Sequence, residues 1–233
     1  MSEIVPGLHW VEEIRSTVNV YVWDAGNGLT LIDCGMPWHA KKILAFVQSL
    51  EHQPGDVRRI LVTHGDIDHV GALAALKAAT GAMVICHAAE KGLIEGADRR
   101  RLARSPLGVL LTPIHPLITR VLGYKPARVD EVVIDGHVLI EGFRVVHAPG
   151  HTPGQMTLYH PERRLLFTGD ALVNFGGRLG TSVGLFTPQP DIALKSIRRL
   201  AKLDVEVACF GHGPPIIGGA GDRIRELANR MSS

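Results

Sequence analysis

Apolar and polar positions along this chain of 233 residues follow two different periods, one suited to strands and one to helices. Thr17 to Trp23 and Leu29 to Ile32 are short apolar or β-branched runs. They flank Asp24-Ala25-Gly26-Asn27-Gly28, whose composition predicts a hairpin turn. From Trp38 to Leu50 the apolar residues Ile43, Leu44, Phe46, Val47 and Leu50 recur at helical spacing, which predicts an amphipathic helix. Ile60-Leu61-Val62 then reads as a buried strand running into Thr63-His64, followed by a helix over Val70 to Ala79 and a strand at Met83 to Ile85. The second half repeats the pattern. Strands are predicted at Glu131 to Ile134, Phe143 to Val146, Met156 to Tyr159, Leu165 to Phe167 and Val205 to Phe210, with helices at Asp191 to Leu203 and Asp222 to Met231.

Between the halves, Ala88 to Asp130 lacks strand and turn signals and is expected to be a helical insertion or lid within one domain spanning 1–233. Its basic cluster, Arg99, Arg100, Arg101 and Arg104, reads as a solvated helix face, with an anion site as the alternative. The apolar run Leu107 to Leu122 is broken by Pro113, His115, Pro116 and Arg120, so it is no membrane span. A lid, a buried insertion and an oligomer surface remain open for it.

Composition narrows the function. Lys plus Arg number 25 against 23 for Asp plus Glu, a balance that disfavours a general nucleic-acid binder or a polybasic membrane clamp. Cys34, Cys86 and Cys209 are far apart and form no C-x-x-C pair, so neither a disulfide framework nor a zinc finger is expected. The first ten residues lack a signal-peptide pattern, and the expected location is the cytoplasm, away from membranes. The 26 Gly and 14 Pro imply tight turns, and 12 His invite a search for a metal site.

That search finds His64-Gly65-Asp66-Ile67-Asp68-His69 directly after a predicted buried strand. A turn need not alternate its side chains as a strand must, so four ligand-capable groups can converge there. The bland alternative is a polar turn in which Asp66 or Asp68 caps the following helix. Three further strand ends carry single candidates: His151 in Ala148-Pro149-Gly150-His151-Thr152-Pro153-Gly154, Asp170 after Phe167-Thr168-Gly169, and His212 in Phe210-Gly211-His212-Gly213-Pro214. All are hard or borderline ligands, a coherent set for one kind of metal.

In order and spacing these motifs, together with Leu31-Ile32-Asp33-Cys34-Gly35, resemble the metallo-β-lactamase superfamily over nearly the whole chain. The resemblance implies an α/β fold, a four-layer αββα sandwich of two mixed β-sheets flanked by helices. It also implies two divalent metal ions, zinc first, with iron or manganese accommodated by Asp66. One ion would take His64, Asp66 and His151, the other Asp68, His69 and His212, with Asp170 bridging both and Asp33 orienting the motif loop. His147 would support the site, whereas His9, His39, His52, His87, His115, His137 and His160 have no partner pattern. The implied activity is a hydrolase in which a metal-bridging hydroxide cleaves an ester, lactone or thioester, with Asp68 or Asp170 as the catalytic carboxylate handling the proton.

One position departs from the family's H-x-H-x-D-H pattern: the third residue is Asp66. Three carboxylates and a hydroxide would balance two divalent ions, so a formally neutral site preferring neutral substrates is expected. The alternative is an Asp66 turned away and a single metal. Asp170 argues against β-lactam hydrolysis, since the lactamases proper lack that bridging residue. The short stretch after His212 does not match the basic segment with which glyoxalase II enzymes hold glutathione. Competing functions are a mononuclear iron dioxygenase resembling the persulfide dioxygenases, with His64, His151 and a carboxylate as its triad, then a phosphodiesterase or nuclease, then a binding module with vestigial ligands. The partner expected is a small-molecule substrate, not nucleic acid, and a homodimer is allowed.

Overall fold

Strands that are apolar or β-branched at every position are satisfied where both faces of a sheet are covered. Leu29–Ile32 is such a run, and in the computed structural model, which describes residues 3–24, 26–102, 105–182 and 184–231, all four of its side chains are buried. Ala25 of the expected turn and Arg104 of the basic cluster lie outside the described residues. The chain divides into two compact units, residues 1–100 with 114–132 and residues 101–113 with 133–233.

The first unit is built on a seven-stranded sheet whose strands follow chain order. They are β1 (Glu3–Val5), β2 (Leu8–Trp10), β3 (Tyr21–Asp24), β4 (Leu29–Ile32), β5 (Val57–Val62), β6 (Met83–His87) and β7 (Glu131–Val133). The first four pair antiparallel, and β4, β5 and β6 run parallel to one another. The helices α1 (Ala40–Ser49), α2 (Ile67–Val70) and α3 (Leu73–Thr80) belong to the same unit. Ile43, Phe46 and Val47 of α1 and Leu73 and Leu76 of α3 join Leu29, Leu31, Ile60 and Val62 in one apolar core. The predicted helix over 70–79 is thus two pieces, α2 and α3, with Gly71 and Ala72 between them.

Residues 88–130 hold three short helices, α4 (Lys91–Ile94), α5 (Pro106–Leu111) and α6 (His115–Val121). Leu107, Val109 and Leu110 of α5 and Leu117 and Val121 of α6 are exposed, so the reading of this run as a buried insertion is set aside. Pro113 and Pro116 keep the run from forming one long helix, because proline lacks the N–H and clashes with the preceding turn. The basic cluster is not helical either: Arg99, Arg100 and Arg101 lie on an irregular segment.

The second unit carries β8 (Arg144–His147), β9 (Met156–His160), β10 (Leu165–Phe167), the hairpin β11 (Val173–Phe175) and β12 (Arg178–Gly180), α7 (Pro190–Leu200), β13 (Val207–Cys209), β14 (Ile216–Ile217) and α8 (Ala220–Arg230). Its five-stranded sheet has the order β14-β13-β10-β9-β8, and β10 and β13 are its parallel pair. Leu166, Ala208 and Phe210 meet Ile197 and Leu200 of α7 and Ile224 and Leu227 of α8 in a second apolar core. All three cysteines are free and fully buried, Cys34 and Cys86 in the first core and Cys209 on β13. No helix among the described residues is long and apolar enough to cross a membrane.

Candidate metal centre

Parallel neighbouring strands deliver their C-terminal ends side by side, and open α/β sheets characteristically place ligand sites there. Each unit uses this once. In the first, Ile32 of β4 pairs with Leu61 of β5, so Asp33 stands beside Thr63 and His64. In the second, Phe167 of β10 pairs with Cys209 of β13, and Gly211 donates its N–H to Gly169 (3.0 Å), which draws Asp170 and His212 together.

Asp33 organises the first cluster. Its backbone sits at φ +63°, a left-handed conformation that Asp tolerates better than most residues. One carboxylate oxygen accepts the Thr63 N–H at 2.8 Å, and the other accepts both the Thr63 hydroxyl and the His69 Nδ1–H, each at 2.8 Å. The single Thr63 hydroxyl hydrogen is therefore spent, so its oxygen receives the Nδ1–H of His64 at 3.0 Å. Both rings are fixed in the tautomer whose Nε2 carries the lone pair, as metal ligation requires. The backbone repeats the linkage, with the Cys34 N–H on the His69 carbonyl at 2.8 Å.

Two His–Asp pairs result. His64 Nε2 lies 3.8 Å from Asp66 Oδ2, His69 Nε2 lies 3.8 Å from Asp68 Oδ2, and the two rings stand 4.0 Å apart. These separations exceed a hydrogen bond. They approach the roughly 3.4 Å between two donors of one tetrahedral ion with bonds of about 2.1 Å. Asp66 stands at the N-cap of α2 without a side-chain capping bond, so it does not serve as the cap of a plain polar turn. Gly65 is closely approached: a Cβ there would lie 2.8 Å from the Leu93 side chain, which would have to shift, and the Gly65 N–H donates to the buried Glu90 at 2.7 Å.

The second cluster has the same spacing. Asp170 Oδ2 lies 3.7 Å from His151 Nε2 and 3.4 Å from His212 Nε2. The turn bearing His151 is held by the Ala148 N–H on the Gln155 carbonyl, by the Ser196 hydroxyl on the Pro149 carbonyl, and by the His147 ring against the Pro153 carbonyl at 2.9 Å. His212 is held through its neighbours. Asn174 of β11 donates its backbone N–H to the His212 carbonyl at 3.0 Å and its side-chain amide to the Pro214 carbonyl at 2.7 Å. The donor set in both clusters is imidazole and carboxylate, which suits zinc, iron or manganese, so the residues fit a divalent ion.

A family model described as the metallo-beta-lactamase superfamily matches residues 14–212. The chain belongs to that superfamily. A probable metallo-hydrolase of Bacillus subtilis (strain 168), YflN, is 29% identical, with 99% of this chain and 93% of that protein aligned. A hydroxyacylglutathione hydrolase of Bartonella tribocorum is 30% identical over 85% of this chain and 63% of its own length, so the chain spans less than two thirds of that enzyme. Among solved structures, a metallo-β-lactamase family protein from Thermus thermophilus superposes with a TM-score of 0.74 at 25% identity, covering 99% of this chain and 81% of the other. A protein solved in a di-iron-bound form gives 0.67 at 29% identity, over 90% and 93% respectively. With its two mixed sheets and flanking helices, the chain has the metallo-β-lactamase fold.

Against the superfamily pattern, one residue takes a place at the motif that the sequence did not assign to it. Arg100 is only 3% exposed, and its guanidinium grips both oxygens of Asp66, Nε on Oδ1 and Nη2 on Oδ2 at 2.9 Å. The expectation that the basic cluster is a solvated helix face is therefore corrected at Arg100, while Arg99 and Arg101 are exposed. The expected neutral charge count is corrected with it, because a buried cation sits on one of the three carboxylates. His115, set aside in the sequence, also faces this pair. Its pKa stands below the ordinary imidazole value, chiefly through burial, with Asp66 opposing the shift and Arg100 adding to it. No spacing rule links Arg100 to a motif thirty-four residues away. Other histidines without a pattern make local bonds: His39 accepts the Met36 N–H, and His87 accepts the Ala89 N–H.

Proposed function

We propose that this chain is a metal-dependent hydrolase of ester-type bonds, with thioesters foremost and esters and lactones in the same class. His64, Asp66 and His151 would hold one divalent ion, Asp68, His69 and His212 a second, and Asp170 would serve both. The observation that supports this most is the single oxygen of Asp170 set between two histidines assigned to different ions, the placement a bridging carboxylate needs. The identity to hydroxyacylglutathione hydrolases supports the thioester as first substrate. Zinc is the expected metal, and the likeness to a di-iron protein makes iron the second.

When bound, such a metal pair polarises the substrate carbonyl and lowers the pKa of water at the site. The chain's own residues supply orientation and proton handling. Asp33, through Thr63 and His69, keeps both imidazoles of the motif in the ligating tautomer. Of the three carboxylates, Asp68 is the most open, its side chain 27% exposed against 12% for Asp66 and 7% for Asp170. We assign Asp68 the proton-accepting role, with Asp170 confined to ligation. A cysteine nucleophile is disfavoured because burial pushes all three thiols up, Cys86 to about 12.

The test is elemental analysis of protein purified without added metal, followed by a thioester, ester, lactone and phosphodiester panel that includes anionic acyl groups. Two zinc ions per chain with thioester or lactone turnover, lost in Asp170→Ala, is the expected result. One iron per chain with thiol-dependent oxygen uptake would establish the dioxygenase reading instead.

A further inference from the structure

A carboxylate in the third motif position raises a physical problem that histidine does not. An anion taken out of water needs a partner whether or not a metal is present. Asp66 has one: Arg100, buried beside it, takes both oxygens in the fork that guanidinium and carboxylate share. Oδ2, which accepts the Nη2–H, is also the oxygen facing His64 Nε2 at 3.8 Å. The same atom thus meets the guanidinium and points at the would-be ligand partner. Asp68 is more exposed and lies on His69 instead.

We propose that Asp66 and Arg100 act as one electrically neutral donor unit. The guanidinium offsets the carboxylate, so that the position serves a metal ion as a neutral histidine would. The inference rests on the reading of His64 and Asp66 as ligands of one ion. It makes Arg100 a positioning residue, and it makes the pair exchangeable, as a pair, for a single histidine. Changing one member alone removes the opposite charge that the other meets in this pair. Changing both removes the two charges together.

The experiment uses the full chain stripped by a chelator and reloaded with zinc alone. It compares wild type, Asp66→His, Arg100→Gln and the double variant. Zinc affinity is read by chelator competition, zinc per chain by elemental analysis, and zinc-induced stabilisation by melting with and without the metal. Asp66→His takes the carboxylate away from Arg100 beside the ion and is expected to weaken zinc at one of two sites about tenfold. Arg100→Gln takes the guanidinium away from Asp66, so the metal-free protein melts lower and zinc restores more stability than in wild type. The double variant is expected within about threefold of wild-type affinity, a rescue that a purely structural ion pair would not produce. Equal zinc-induced stabilisation in all four proteins would overturn the proposal, as would a double variant no better than Asp66→His. A smaller zinc effect in Arg100→Gln would also overturn it, since Arg100 would then orient the carboxylate without neutralising it. If wild type takes up neither zinc, iron nor manganese, the metal reading itself fails, and that failure shows before any variant is compared.

Discussion

Asp33 accepts three hydrogen bonds from Thr63 and His69 while lying outside the ligand set. Asp33→Ala removes buried charge-assisted bonds worth about 1.5–3 kcal/mol each and forces alanine into a left-handed backbone that costs a further 1–2 kcal/mol or so. The expected outcome is a clear fall in melting temperature and a 10–100-fold loss of metal affinity, the usual scale for a supporting partner of a ligating histidine. Asp33→Asn keeps the backbone and one acceptor and should lose less of both. Equal metal affinity in all three proteins would show that the histidines need no such support. Asp33 was legible only through the resemblance of Leu31-Ile32-Asp33-Cys34-Gly35 to a superfamily motif that precedes the metal motif. Arg100 was not, because the chain brings it to Asp66 through an irregular segment whose path no periodicity encodes.

At the scale of elements, the parallel pairs β4–β5 and β10–β13 do the positioning, and their long apolar runs made them readable. The hairpin of β11 and β12 was missed: each strand has three residues, and the turn between them offers only Gly176-Gly177 against an exposed Phe175. Its contribution, the clamp of Asn174 on the His212 turn, was lost with it. The His151 turn depends on Gly150, at φ +134°, where a Cβ would stand 2.4 Å from the backbone nitrogen of Ala193 in α7. Gly150→Ala must push α7 or the turn aside. A loss of about 3 kcal/mol, read as a melting temperature lower by roughly 6–12 °C, is expected together with weakened metal binding. An unchanged melting curve would mean that α7 yields freely.

Asp130 offers a pH test within the first unit. Burial pushes its carboxyl up, but hydrogen bonds from Lys77 and the Val84 N–H, with the charges of Lys77 and Arg128, outweigh that and leave it below the ordinary 3.8. A depressed carboxyl contributes stability that is present above its unfolded value and lost as pH falls through the folded one. Asp130→Asn should therefore lower the urea midpoint at neutral pH, and the two curves should converge as the pH falls through the depressed folded value. Because the pair is partly exposed, the neutral-pH difference should stay under about 1 kcal/mol. A gap of the same size at neutral pH and below that value would assign the effect to packing.

On the scale of the whole molecule, ligand assignment makes a prediction about metal removal. An ion bound at one hundred times its Kd adds about 2.7 kcal/mol to the folded state. Chelation should then lower the melting temperature by roughly 5–10 °C in a chain of this size. A melting curve indifferent to chelator would count against any metal at these residues. The fold was readable at this scale because candidate ligands recur at strand ends in an order that resembles the superfamily's. The division into two units was not, since each half repeats the same alternation of strands and helices.

The buried thiols give that division an experimental handle. Cys34 and Cys86 lie within the first unit and Cys209 within the second, and burial keeps all three protonated, hence inert to alkylation while the protein is folded. Mass spectrometry under rising denaturant can therefore count labels chain by chain. If the units open together, molecules carry either no label or three. If the second opens first, a population with one label precedes the rest, and if the first does, a population with two.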